Sequence, residues 1–125
     1  MKKHTTLLIA LFLVTGTTII AQEKKPKSPP METVGKVGGV QVTINYSSPS
    51  VKGREIYGEL VPFDQVWRAG ANEATTVKLS GAANINDEKL EAGTYSFFVL
   101  PKEDGEWEVI FNTEPKQWGA YKLDR

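Results

Sequence analysis

Cysteine is absent from this chain and histidine occurs once, at position 4. Without cysteine there is no disulfide staple, no thiol redox couple and no cysteine-borne lipid anchor. Without a histidine beyond His4 there is no Ser-His-Asp or Cys-His nucleophile system and no zinc site of the usual nitrogen and sulfur type. No other side chain has an ordinary pKa near neutrality. Carboxylate, lysine, tyrosine and arginine chemistry is what remains. Charge of one sign is also missing: fifteen Lys and Arg balance fifteen Asp and Glu, interspersed along the sequence. No basic patch marks a nucleic-acid partner. The pattern supplies no metal-ligand cluster and no cofactor motif, so none is expected.

A long hydrophobic run is missing as well. The longest, Leu7–Val14, has eight residues, against roughly 20 for a membrane-spanning helix. It follows Lys2 and Lys3 and leads to the small residue Ala21. A charged start, a short apolar core and a small residue at the end describe a secretory signal peptide, residues 1–21. The protein is therefore expected to be exported, to the periplasm or beyond, and to keep no stable membrane span once cleaved. Removing residues 1–21 takes away His4 and two lysines, which leaves a net charge near −2. The remaining length suits one domain with a single core, stabilised by packing alone.

Residues 22–32 begin with the Lys- and Pro-rich "QEKKPKSPP" and read as a disordered lead-in. The folded domain, residues 33–125, alternates apolar and polar residues in short runs. "VQVTINYS" (40–47) puts Val40, Val42, Ile44 and Tyr46 on one side, and Gly38-Gly39 joins it to a partner strand in "ETVGKV". Strands are also expected at 75–80, around the Asn86-Asp87 turn, at 94–100 and at 106–112, the last two joined through Asp104-Gly105. "TYSFFVL" is apolar on both sides, which predicts a central strand covered on each face. Between 52 and 63, "KGREIYGELVPF" follows neither period; it reads as a long ordered loop with one helical turn near 56–60. No long amphipathic helix is evident. The expected fold is all-β: an antiparallel β-sandwich or open barrel of short strands with one long ordered loop.

The loop and the strand after it carry the candidate site. If the strand at 75–79 extends backwards, Glu73 shares the parity of Thr75, Val77 and Leu79 and points to the core, while Asn72 lies on the other face. A buried carboxylate needs a partner, and Arg54 or Arg68 can meet it through a two-pronged hydrogen bond. That arrangement would pin the loop to the sheet, and it could also floor a pocket for a polar ligand. Trp118, in a glycine-containing stretch near the end of the chain, is the aromatic expected to reach such a pocket. The candidate ligand-binding residues are thus Arg54, Arg68, Asn72, Glu73 and Trp118; no catalytic residue is assigned. The acids Glu55, Glu59, Asp64 and Glu73 could in principle supply an acid and a base, so a small carboxylate-dependent hydrolase or lyase is the alternative to a non-catalytic binding or envelope-associated module whose partner is a polar ligand or a protein.

Four stretches occur in order: Gly53-Arg54-Glu55-Ile56, Trp67-Arg68-Ala69-Gly70-Ala71-Asn72-Glu73-Ala74-Thr75, Ala92-Gly93-Thr94-Tyr95-Ser96, and Gln117-Trp118-Gly119-Ala120-Tyr121. Over roughly residues 33 to 121 the chain resembles the exported bacterial family labelled domain of unknown function 2911. The resemblance implies an exported all-β domain without an assigned activity. Members of that family continue past the Trp-Gly-Ala-Tyr stretch with more strand-forming sequence. The further expectation is therefore a C-terminally shortened copy that lacks its last strands, including the possibility of a truncated, non-functional one.

The signal peptide makes a direct prediction. The mature protein should begin at Gln22, which intact-mass measurement of the protein from the exporting cell reads; a mass that retains residues 1–21 would contradict it.

Overall fold

A computed structural model describes residues 23–118. The predicted signal peptide and the strand expected around Tyr121 and Leu123 lie outside the described residues. The described residues form seven strands: β1 (Pro30–Val37), β2 (Val40–Ser47), β3 (Thr76–Leu79), β4 (Ala83–Ile85), β5 (Glu88–Leu90), β6 (Gly93–Leu100) and β7 (Glu108–Asn112). All pairings are antiparallel. Five strands make one sheet in the order β1-β2-β3-β6-β7, and β4-β5 is a separate two-stranded sheet. The fold is all-β, with no closed barrel.

Turn chemistry sets the register. Gly38 and Gly39 both have positive φ, so the two-residue turn follows the strand twist and aligns Val37 with Val40. Asn86 and Asp87 do the same between β4 and β5, with φ of 47° and 65°, a conformation that Asn and Asp tolerate better than other non-glycine residues. The pair Lys89–Glu91, at 2.7 Å, flanks the end of β5; both side chains are exposed, and the hydrogen bond that Lys89 donates to the Glu91 carboxylate holds the ammonium pKa above its ordinary value.

Register divides the large sheet into two unlike faces. On the first, Val42 and Ile44 of β2 lie beside Leu79 and Val77 of β3, which lie beside Gly93 and Tyr95 of β6, and Phe97 lies beside Phe111. Residues of β4, Ala83 and Ile85, share an apolar cavity of about 310 Å³ with this face, so the small hairpin covers one end of it. Tyr95 and Phe97 both meet Phe111 edge to face, with centroids 6.3 and 5.4 Å apart. The second face is polar along β1, β2 and β3 but closes over β6 and β7, where Ser96, Phe98 and Asn112 have no solvent exposure. The expectation that β6 is central and apolar on both sides therefore holds, with Phe98 on one side and Val99 on the other.

Two local expectations shift. The lead-in ends earlier than residue 32: Pro30, Met31 and Glu32 already pair with Ser47, Tyr46 and Asn45. Proline is tolerated there because it opens an edge strand, where its missing N–H costs no ladder bond. The loop at 52–63 contains no helical turn. It folds back on itself instead, with Val61 N–H donating to Ile56 O and Gly58 N–H to Val61 O, and with Lys52, Gly53 and Gly58 at positive φ. Those left-handed residues prevent a continuous helical run.

Phe98 is the largest fully buried side chain among the described residues. Phe98→Ala is expected to cost about 3–5 kcal/mol, read as a lower urea midpoint with unchanged m-value. Glu103→Gln, at an exposed position in the bend after β6, should change stability by no more than about 0.5 kcal/mol.

Candidate functional site

The site is built where the chain leaves the sheet and returns. Thr75 accepts from Phe97 N–H, continuing the β3–β6 ladder by one residue. Trp67 also lies against β6: its N–H donates to Val99 O at 2.7 Å, and Val99 N–H donates to Trp67 O at 2.8 Å. Residues 68–74 are an excursion between these two points on one edge of β6. The excursion is anchored from outside by Ala71 N–H to Ser47 O (3.1 Å) and Ala74 N–H to Gln117 O (2.8 Å). Thr75 Oγ1 donates to Ala69 O at 3.3 Å. Gly70 fits this closure because a Cβ there would lie 2.9 Å from Thr75 Oγ1 and 3.4 Å from Ser47 O.

The excursion changes the fate of Glu73. The parity argument requires a strand running back from Thr75 through Glu73, but β3 begins at Thr76 and residues 71–73 form a bend, with Asn72 at φ of 60° and Ala69 at 52°. Each left-handed residue redirects the chain and ends the two-residue alternation. Glu73 is exposed, and the ion pairs among the described residues are Lys89–Glu91 and Lys102–Asp64. The expected Arg68–Glu73 or Arg54–Glu73 knot is not formed. Glu73 lies instead on a shallow depression of about 200 Å³ with Asn45, Tyr46 and Thr76. Asn72 is exposed and supplies the turn rather than a facing side chain.

The two arginines do come together on one cleft. Its volume is about 670 Å³, and it lies between the long loop and the start of the excursion. Arg54 and Arg68 are its charged lining residues; Tyr57, Leu60, Val61 and Trp67 supply most of its apolar wall. The sequence holds three arginines, Arg54, Arg68 and Arg125, so two of the three converge here. Arg54 is held in the loop by Nε–H donating to Val51 O (3.0 Å) and Nη2–H to Ser50 O (2.8 Å). These bonds fix the plane of the guanidinium and leave donors on its other edge. The Arg68 guanidinium lies over Trp118, with 5.4 Å from Cζ to the ring centroid. Such a contact is worth roughly 0.5–1 kcal/mol at an exposed site, and the N–H donors of Arg68 point outward in the guanidinium's own plane. Trp118 itself is exposed and meets the cleft through Arg68, not as one of its lining residues.

Trp118 was the aromatic expected at the pocket, whereas Tyr57 and Trp67 are the aromatics that line the cleft. Tyr57 stands edge-on to Trp67 at 5.9 Å and to Trp107 at 4.8 Å, and Trp107 is held by its indole N–H donating to Lys102 O at 3.0 Å. The signal was the aromatic density of "EIYGELVPF", which has no period to say where it points. The buried polar knot was missed. It is formed by the side chains of Ser96, Asn112 and Gln117 with the backbone of Glu114, rather than by an arginine–carboxylate pair. Ser96 Oγ donates to Glu114 O (2.7 Å), and Gln117 Nε2 lies 3.0 Å from Ser96 Oγ and 3.2 Å from Asn112 Oδ1. Asn112 Oδ1 also accepts from Glu114 N–H. Asn112 Nδ2 is buried without a partner, which costs about 1–3 kcal/mol. This knot ties the segment after β7 to the centre of β6, and that segment in turn receives Ala74 N–H. No group of three His, Cys, Asp or Glu side chains among the described residues could hold a metal ion.

The family model described as protein of unknown function (DUF2911) matches residues 28–125, and the chain belongs to that family. No curated protein and no solved structure matches it.

With its carboxylate exposed and unpaired, Glu73→Gln is expected to change stability by less than about 0.5 kcal/mol. Gly70→Ala, which forces Cβ against Thr75 Oγ1, should lower the thermal midpoint measurably. Equal effects from the two substitutions in a thermal melt would contradict this account.

Proposed function

We propose that this member of the family is an exported, non-catalytic binding module, and that its ligand is a small amphipathic anion. The observation that carries the reading is the lining of the cleft, where two guanidinium groups face an apolar and aromatic wall without a carboxylate among the lining residues. Ligand sites of this size are commonly mostly apolar with a few placed polar groups that fix orientation. Arg54 is pre-oriented by two backbone carbonyls and Arg68 by the Trp118 face, so little side-chain freedom is lost on binding. An anionic head would accept charge-assisted hydrogen bonds from either guanidinium. Its aliphatic or aromatic body would lie against Tyr57, Leu60 and Trp67.

General acid–base chemistry is less well supported. Glu55, Glu59, Asp64 and Glu73 do not line this cleft, and Asp64 is engaged with Lys102 at 3.1 Å. Geometry comes before pKa for such roles, and Glu73 lies on a separate depression without the other three acids.

Decanoate and decanol make a matched pair of probes, followed through tryptophan fluorescence. Decanoate is expected to bind more tightly than decanol. Arg54→Gln and Arg68→Gln should each reduce that preference about tenfold, the equivalent of one charge-assisted hydrogen bond. A preference that survives in the Arg54→Gln/Arg68→Gln double variant, or that is absent from the parent protein, would overturn the reading.

A further inference from the structure

The outer edge of β1 is self-complementary, and we infer that two copies of this chain pair along it as an antiparallel dimer with its two-fold axis at Val34. β1 is the first strand of the five-stranded sheet, and all eight of its residues are exposed. Its register with β2 runs unbroken from Pro30–Ser47 to Val37–Val40, with no bulge to twist the edge away.

Hydrogen-bond phase identifies which groups are free. Ser48 N–H donates to Pro29 O at 2.9 Å. Pro29 opposite Ser48 is in register with Met31 opposite Tyr46 and with Val37 opposite Val40. Hydrogen-bonded pairs alternate along an antiparallel ladder, so the odd-numbered residues of β1 direct their backbone groups to β2. The N–H and C=O groups of Glu32, Val34 and Lys36 therefore face outward.

An edge that pairs with its own copy about a two-fold axis does so antiparallel, with the same residues on both sides. Centring the axis on Val34 sets Val34 against Val34, Glu32 against Lys36 and Lys36 against Glu32. The outward-facing backbone groups then meet in phase, which gives roughly six inter-chain hydrogen bonds. The odd residues, on the other face of the sheet, bring Met31 against Val37 of the second copy and Val37 against its Met31. These are apolar side chains, 46% and 73% exposed in the single chain. Sliding by two residues keeps the backbone phase but sets Glu32 against Val34, or Val34 against Lys36, and loses both charge pairs. The register with complete backbone phase is thus also the one in which opposite charges and exposed apolar groups match, each cross-strand pair contributing a further increment. The product is a continuous sheet through two copies, and it leaves the arginine cleft of each copy outside the seam.

Sedimentation of the purified protein at micromolar and submillimolar concentrations tests the pairing. The parent chain is expected to reach twice its monomer mass as concentration rises. Lys36→Glu places Glu against Glu at both ends of the seam and should abolish the dimer, as should Glu32→Lys. The double variant Glu32→Lys/Lys36→Glu restores opposite charges and should recover it. In a chain with no cysteine, Val34→Cys should give a disulfide-linked dimer on mild oxidation, whereas Gln41→Cys on the neighbouring strand should not. A parent chain that stays monomeric at submillimolar concentration, a dimer indifferent to Lys36→Glu, or a double variant that folds but remains monomeric would each overturn the inference.

Discussion

The pair of hydrogen bonds between Trp67 and Val99 is the constraint on which the rest of the site depends. Without it, residues 49–74 would be one long connection hanging between β2 and β3. With it, the chain is fastened to the same edge of β6 twice, at Trp67 and at Thr75. The first fastening sets the aromatic wall, because Trp67 arrives beside Val99 and presents a ring edge to Tyr57. The second fixes the start of β3. Everything between them, including Arg68 and Gly70, is held at both ends within a few residues of a rigid strand. Fastening the chain at Trp67 divides a long connection into shorter closed segments, and the entropy cost of closing a loop grows with its length.

Two polar arrangements share the work of closing this domain. A buried knot of Ser96, Asn112, Glu114 and Gln117 draws the segment after β7 over the second face of the sheet, and the backbone of Gln117 then receives Ala74 N–H. The arginines, by contrast, remain near the surface with their charge uncompensated by acids. Apart from Asn112 Nδ2, the neutral amides and the hydroxyl of this knot find partners at modest desolvation cost, whereas a buried Arg–Glu pair would have to offset several kcal/mol per ion. Keeping the guanidinium groups out of the structural knot leaves them available at the cleft.

Most of the sheet was legible in the sequence because its information is local. β2 follows a strict two-residue period, β6 is rich in aromatic and β-branched residues, and Gly38-Gly39, Asn86-Asp87 and Asp104-Gly105 mark the turns. The path between β2 and β3 was not legible for the opposite reason. Ala69 and Asn72 adopt left-handed conformations, and residues 71–73 bend away from the sheet before β3 begins at Thr76. Glu73 was misassigned to the core because the strand was extended back through residues that are not part of it. Arg54 and Arg68 could be chosen as residue types, but their meeting on one wall depends on Trp67 reaching Val99, a contact between positions far apart in the chain. Glutamine and asparagine gave no signal of the buried knot, since both are ordinarily surface residues.

The double fastening of the excursion to β6 also bears on how such a domain can change over time. The length of this detour is set by more than its two ends, because Ala71 N–H reaches Ser47 O, Ala74 N–H reaches Gln117 O, and Gly70 leaves no room for a Cβ beside Thr75 Oγ1. A residue gained or lost between Trp67 and Thr75 would break one of these contacts, so the detour is closed to changes of length.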